Sequence, residues 1–155
     1  MQEISNTEKV VRILHRDWVV EGHLQINAFS LRLNETYISV NRPAIKSFSD
    51  DVSDFISNHQ DFQISDKIYR QAELFVGDVR NIKIELGQDV ASVAVEVEPR
   101  DKNYLSHAGI FTRCDGKNLK GGQSDKHIPI SAILQKVQYN LLRLAQVEVC
   151  EIKRA

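Results

Sequence analysis

The chain has 155 residues, of which 42% are hydrophobic and 26% are charged, and its formal net charge is -1. This length and composition are typical of one folded, soluble domain spanning residues 1–155, and they exclude an intrinsically disordered chain. The small net charge provides no overall attraction to nucleic acid or to an anionic membrane, and the apolar runs are too short to cross a bilayer, so neither is expected as a partner.

The first half of the chain predicts strands followed by a helix. Residues 9–20 (KVVRILHRDWVV) are rich in Val and Ile and predict a strand. Residues 36–40 predict a second strand after a turn at 34–35. Apolar residues at helical spacing, with serines that can cap the start and aspartates in the first turns, then predict a helix near residues 47–58.

The second half is rich in strands until a final helix. Gly77-Asp78 and Gly87-Gln88-Asp89 predict hairpin turns, and residues 104–113 (YLSHAGIFTR) predict a further strand. An apolar stripe with i, i+3 and i+4 spacing predicts a helix over 130–145, and residues 146–153 predict the last strand. Because the two glycine turns are too short for crossover connections, we predict an α+β fold with a mainly antiparallel sheet on which the final helix packs.

The two cysteines, Cys114 and Cys150, are far apart, and neither belongs to a CxxC pair or a Cys/His cluster. This spacing excludes a zinc site of the usual kind. The first residues include acidic side chains and lack the apolar segment of a secretory signal. We therefore predict a cytoplasmic protein, a monomer or weak dimer, with two free thiols in preference to a disulfide.

The strand at 36–40 ends in an unusual run of polar residues. Strand alternation places Ser39 and Asn41 on one face and Arg42 on the other. Pro43 keeps Arg42 out of helical geometry and extends it. Two explanations are open: a ligand-binding site at the end of a strand, or ordinary turn chemistry.

Polar residues near other strand ends have similar alternatives. Arg16 follows His15 after the first apolar strand, and two interpretations are open. It binds a carboxylate or phosphate group of a ligand, or it pairs with Asp17. His107 lies among small residues that would let a ligand approach closely, or it is a structural side chain. The segment 114–127 contains three lysines and three glycines, and it is either an anion-binding lid or a solvated hairpin loop.

Two short segments together resemble the ADP-ribosyltransferase and RES-type toxin superfamily. Members of that superfamily carry an Arg or His on an early strand, and an aromatic–apolar–Ser pattern on a later one. Here the segment ILHR supplies His15 or Arg16, and TYISVN supplies Tyr37, Ser39 and Asn41. The resemblance covers about the first third of the chain.

The resemblance implies a pocket for a nicotinamide dinucleotide, with NAD as the cofactor. In such a pocket an arginine would hold the pyrophosphate, and the serine hydroxyl would orient the ribose. The superfamily's late acidic residue has no clear counterpart in this chain, since Glu148 and Glu151 lie in a predicted strand.

From these observations we hypothesise a polar pocket for a small anionic, nucleotide-like ligand, with NAD handling or ADP-ribosyl transfer as its narrower form. One alternative is a non-catalytic binding or protein-interaction module. Another is a hydrolase or lyase in which His107 acts as a general base with a nearby carboxylate. The expected pocket contains no metal; its catalytic groups are His15, Arg16 and His107, and its ligand-binding groups are Tyr37, Ser39, Asn41 and Arg42.

Overall fold

The computed structural model describes residues 3–46, 68–85, 92–100 and 105–151. The predicted helix near 47–58 and the predicted turn at 87–89 lie outside these residues. Within them the chain forms strands, two α-helices and two short 3-10 helices at Arg16–Trp18 and Ile26–Phe29. The strands are β1 (Lys9–Leu14), β2 (Val19–Val20), β3 (His23–Leu24), β4 (Tyr37–Asn41), β5 (Ile68–Phe75), β6 (Val93–Pro99), β7 (His107–Cys114), β8 (Lys117–Asn118) and β9 (Gln146–Glu151); the α-helices are α1 (Val76–Arg80) and α2 (Ile130–Leu144).

The main sheet has the strand order β6-β7-β4-β1-β5-β9, and β8 adds to β7. Every strand pair in it is antiparallel, and β2 and β3 form a separate antiparallel pair. The predicted α+β fold with a mainly antiparallel sheet is therefore confirmed.

The main hydrophobic core covers one face of this sheet, which we call the core face. It includes Val10, Val40 and Ile110 from three neighbouring strands, with Val137 and Leu141 from α2. Directly paired residues of neighbouring strands share a face, and side chains alternate along each strand. The remaining residues of β4 and β7 thus project from the opposite face, which we call the outer face.

The amphipathic helix predicted over 130–145 is confirmed as α2. Pro129 precedes its first residue, and Ala145 follows its last. Its buried positions are Ile130, Ile133, Val137 and Leu141, at the i, i+3 and i+4 spacing of a single helical stripe. The strands predicted at 104–113 and 146–153 are also present, as β7 and β9.

The hairpin predicted at 77–78 is wrong, because Gly77 and Asp78 lie in the helix α1. The neighbours of β5 are β1 and β9, whereas β6 pairs with β7 at the other end of the sheet. Val76 and Val79 are three residues apart, and both are completely buried in the main core. Burying these two side chains on one face favours a helical turn over the hairpin that a Gly-Asp pair indicates.

The strand predicted over 9–20 is interrupted. β1 ends at Leu14, and a 3-10 helix turns the chain before Val19 starts the small β2–β3 pair. Both faces of β1 are covered, since Val10, Val11, Ile13 and Leu14 are all buried. This explains why apolar residues occur at both parities of the strand, on either side of Arg12, and do not alternate clearly with polar ones.

Candidate functional site

The outer face of β4 and β7 brings together four of the residues that the sequence indicates. Tyr37 pairs with Phe111, Ser39 with Gly109, and Asn41 with His107. Since paired residues share a face, the side chains of Tyr37, Ser39, Asn41 and His107 all project from the outer face. We call these four residues, together with Arg100, which directly follows β6, the outer-face cluster.

A hydrogen bond joins Ser39 to His107 across the two strands. The Oγ of Ser39 lies 2.8 Å from the Nε2 of His107. Ser39 is exposed and His107 is half-buried. His107 is directly opposite Asn41 in the strand register, so its ring reaches Ser39 along the diagonal. The cluster therefore contains an accessible hydroxyl beside an imidazole.

Gly109 makes this arrangement sterically feasible. A Cβ atom at position 109 would lie 2.7 Å from Cδ2 of Tyr37, and 3.0 Å from its Cβ and Cγ. The Tyr37 ring thus occupies the space of the missing side chain. Its centroid lies 6.1 Å from that of His107 and 5.5 Å from that of Phe111.

We expect Gly109→Ala to destabilise the protein by about 1–3 kcal/mol, because the new methyl group must displace the Tyr37 ring. In a Tyr37→Ala background the same change should cost less, since the ring atoms Cδ2 and Cγ are then absent and only the Cβ of residue 37 remains at 3.0 Å. Urea denaturation of the wild type, both single variants and the double variant measures this coupling. An equal cost in both backgrounds would contradict the contact between Tyr37 and Gly109.

Two arginines border the aromatic part of the cluster. The guanidinium carbon of Arg100 lies 4.3 Å from the Tyr37 ring centroid and 5.5 Å from that of Phe111. Arg113 lies 5.1 Å from the Phe111 ring and binds both oxygens of Glu98, at 2.6 and 2.7 Å. This hydrogen bonding raises the pKa of Arg113 and lowers the pKa of Glu98.

Arg100 differs from Arg113 in its ionic surroundings. Its side chain is exposed, and in the described part of the chain no carboxylate lies within ion-pair distance of it. Its backbone N–H donates to the carbonyl of His107 at 3.0 Å, which holds it beside the Ser39–His107 pair. Sequence reasoning missed Arg100, because it directly follows a strand whose neighbour in the sheet was unknown.

Arg42 lies apart from the outer-face cluster. It is 2% exposed, and its guanidinium donates to both carboxylate oxygens of Glu8, at 3.0 Å each, and to the carbonyl of Glu3 at 3.4 Å. Strand alternation places Arg42 on the core face, opposite Asn41. Its charge therefore already has a partner within the protein.

The predicted pair His15 and Arg16 lies beyond the end of β1. The Nδ1 of His15 accepts a hydrogen bond from the Asp17 N–H at 3.1 Å, and its ring lies 5.8 Å from that of Trp18. The backbone of Arg16 lies in the 3-10 helix, and the structure does not describe its side chain. The described contacts of His15 join it to its own turn and not to the outer-face cluster.

Arg12 supports the cluster from the core face. Its guanidinium donates to the carbonyl of Ser39 and to that of Ala28, both at 2.7 Å, and packs 4.9 Å from the Trp18 ring. Burial lowers the pKa of Arg12 to about 10. In the sequence, the only indication of this supporting role is that a single arginine stands inside an apolar strand. It holds the β4 backbone at the residue whose side chain faces His107.

The lysine-rich segment 114–127 begins as a hairpin. Asp115 and Gly116 both have positive φ angles, which suits a tight turn between β7 and β8. Gly121 then donates to the carbonyl of Glu35 and accepts from Asn34, each at 2.9 Å. These contacts attach the segment to the loop before β4, as expected for a hairpin loop rather than a lid.

A cleft of about 400 Å³ lies along the edge strand β6. Arg80, in its lining, binds Glu96 and donates to the carbonyls of Ile4 and Val97 at 2.7 and 2.8 Å. Two of the three glutamates that line the cleft, Glu96 and Glu98, are thus paired with arginines. Because its described polar groups largely satisfy one another, we do not assign a ligand to this cleft.

No family model, curated protein or solved structure matches this chain. Within the described residues, no group of three or more His, Cys, Asp or Glu side chains is arranged to hold a metal ion. None of the helices described is long and apolar enough to cross a membrane.

Proposed function

We propose that the protein binds a small anionic ligand that carries a flat ring, with a nucleotide as the best fit, at the outer-face cluster. One observation carries this proposal: Arg100 lies on the Tyr37 ring, beside the Ser39–His107 pair, without a described carboxylate partner. An exposed guanidinium above an aromatic ring is suited to a phosphate group and to a base at the same place.

Each member of the cluster has a role in this proposal. Arg100 binds the phosphate through two parallel hydrogen bonds. Tyr37 offers its ring to the base once the ligand has moved the Arg100 guanidinium toward the phosphate. Ser39 and Asn41 supply hydroxyl and amide groups for the sugar. His107 orients the Ser39 hydroxyl through the hydrogen bond of 2.8 Å.

The charges favour a small ligand over a nucleic acid strand. Beside the cluster, β6 places Glu96 and Glu98, which neutralise Arg80 and Arg113. A polyanion would pass over both carboxylates, whereas a small ligand needs to contact only Arg100. The net charge of -1 also favours a small ligand over a nucleic acid strand.

NAD handling and ADP-ribosyl transfer are the narrower form of the proposal, and they rest on the resemblance of the first third of the chain. We also propose that the protein is cytoplasmic, as the sequence predicts. Cys114 has an unbonded, buried thiol whose pKa burial raises, and such a thiol is suited to a reducing compartment. The monomer or weak dimer remains a prediction.

Calorimetric titration with AMP, ADP-ribose and NAD tests the proposal. We expect Arg100→Ala to weaken AMP binding by about tenfold or more, since a hydrogen bond to a charged group contributes about 1.5–3 kcal/mol. Tyr37→Ala should weaken AMP and adenosine alike, whereas Arg100→Ala should leave adenosine binding unchanged.

The matched controls are Arg32→Ala and Tyr139→Ala, which remove an exposed arginine and an exposed tyrosine outside the cluster. Neither should change AMP affinity. If the wild type binds none of these compounds, or if the controls weaken binding equally, the proposal fails. The non-catalytic interaction module then becomes the better interpretation.

A further inference from the structure

We propose that Ser39 is a nucleophile activated by His107, and that the outer-face cluster hydrolyses a carboxylic ester whose substrate carries an anionic group. This inference rests on the proposed function, because Arg100 is the group that would place the anion beside Ser39. It goes beyond binding by giving the Ser39–His107 pair a chemical step.

The geometry of the pair suits proton transfer. The Oγ of Ser39 lies 2.8 Å from the Nε2 of His107, within the range in which an imidazole removes a hydroxyl proton. The Ser39 side chain is exposed and therefore accessible to a substrate. Gly109, the residue opposite Ser39, places no side chain of its own beside the hydroxyl.

Ser39 is also held in place. Its neighbours Ile38 and Val40 are buried in the main core, at 6% and 0% exposure. Its carbonyl accepts a hydrogen bond from Arg12 at 2.7 Å. β4 lies between β7 and β1, away from the sheet edges. A nucleophile on such a rigid strand keeps its orientation toward the base, as effective positioning requires.

The reaction proceeds in two steps with water as the second reactant. The Ser39 Oγ attacks the ester carbonyl carbon and forms a C–O bond, while its proton moves to the Nε2 of His107. The bond to the alcohol group then breaks, and the alcohol leaves with that proton. Water next attacks the acyl-serine with His107 as base, releasing the carboxylic acid and restoring Ser39.

Arg100 supplies the positive charge for this chemistry. The Arg100 guanidinium lies on the ring of Tyr37, and Tyr37 is two residues before Ser39 on the same strand face. The Arg100 backbone N–H donates a hydrogen bond to the carbonyl of His107. From there it binds the anionic group of the substrate and fixes the ester against Ser39. Its removal should raise KM for an anionic ester more than it lowers kcat.

A fluorophosphonate probe tests the nucleophile directly. The Ser39 Oγ would form a bond to phosphorus, fluoride would leave, and the proton would pass to His107. We expect intact-mass and peptide analysis to show one adduct, at Ser39. His107→Gln should slow labelling by about 100-fold or more, since general-base catalysis contributes about 10²–10⁴-fold. Labelling of Ser131, an exposed serine on α2, provides the comparison.

A second variant covers the case in which His107→Gln does not fold. The thiol of a Ser39→Cys variant, still beside His107, should be alkylated at neutral pH at least about tenfold faster than that of Ser124→Cys, at an exposed loop position, because a neighbouring histidine favours the thiolate. If Ser39 is labelled no faster than Ser131, or if the two thiols react equally, the Ser39–His107 bond only joins two strands and the inference is overturned.

Adding AMP separates this inference from the proposed function. If both hold, AMP should protect Ser39 from the probe. AMP binding with no labelling of Ser39 would overturn the nucleophile alone. Labelling of Ser39 in a protein that binds no nucleotide would overturn the proposed ligand alone.

Discussion

An aspartate in place of Leu141 is expected to abolish the cooperative unfolding transition of this protein. Leu141 has no exposed surface and packs in the main core with Val137. Losing its side chain costs about 2–5 kcal/mol, and burying an ionised carboxylate among apolar groups adds several more. The sum is comparable with the whole stability of a domain, about 5–15 kcal/mol.

Thermal melting followed by far- and near-ultraviolet circular dichroism measures this effect. The matched control is Tyr139→Asp, which introduces the same residue on the same helix at a position that is 56% exposed. We expect the control to retain a cooperative transition and to lose no more than roughly 1 kcal/mol. A wild-type melting curve for Leu141→Asp would contradict the packing of α2 on the sheet.

Arg42→Ala is expected to reduce the free energy of unfolding by about 3–5 kcal/mol, because it leaves Glu8 without its buried partner. The Arg42 side chain is 3% exposed and that of Glu8 is 16% exposed. Urea denaturation measures the loss. The double variant Arg42→Met and Glu8→Gln should recover much of it, since both charges are then absent.

Arg113→Ala is the matched control, since it breaks a two-bond pair with Glu98 in which the side chains are 25% and 40% exposed. This pair is more exposed than the Arg42–Glu8 pair, so breaking it should cost clearly less. If Arg42→Ala costs no more than Arg113→Ala, the buried pair does not stabilise the fold. AMP affinity measured on the folded variants would then decide whether Arg42 binds the ligand.

Sequence reasoning was most successful where one element carries its own pattern. The stripe of α2 and the strands β7 and β9 were predictable because their side-chain periodicity follows from local backbone geometry. The Gly77-Asp78 pair shows the limit of local signals. Its turn preference yields to the burial of Val76 and Val79, which depends on what lies across the core.

Within the candidate site, too, patterns along one strand were predictable and contacts between distant strands were not. By itself the sequence determined that Ser39 and Asn41 share a face of one strand and that Arg42 lies on the other, because alternation is a property of a single strand. Only the tertiary structure decided that His107, 68 residues from Ser39 in the chain, lies against its hydroxyl, and that Arg100 lies on Tyr37. The register between distant strands depends on how whole faces pack together, and residue order along one strand does not encode it.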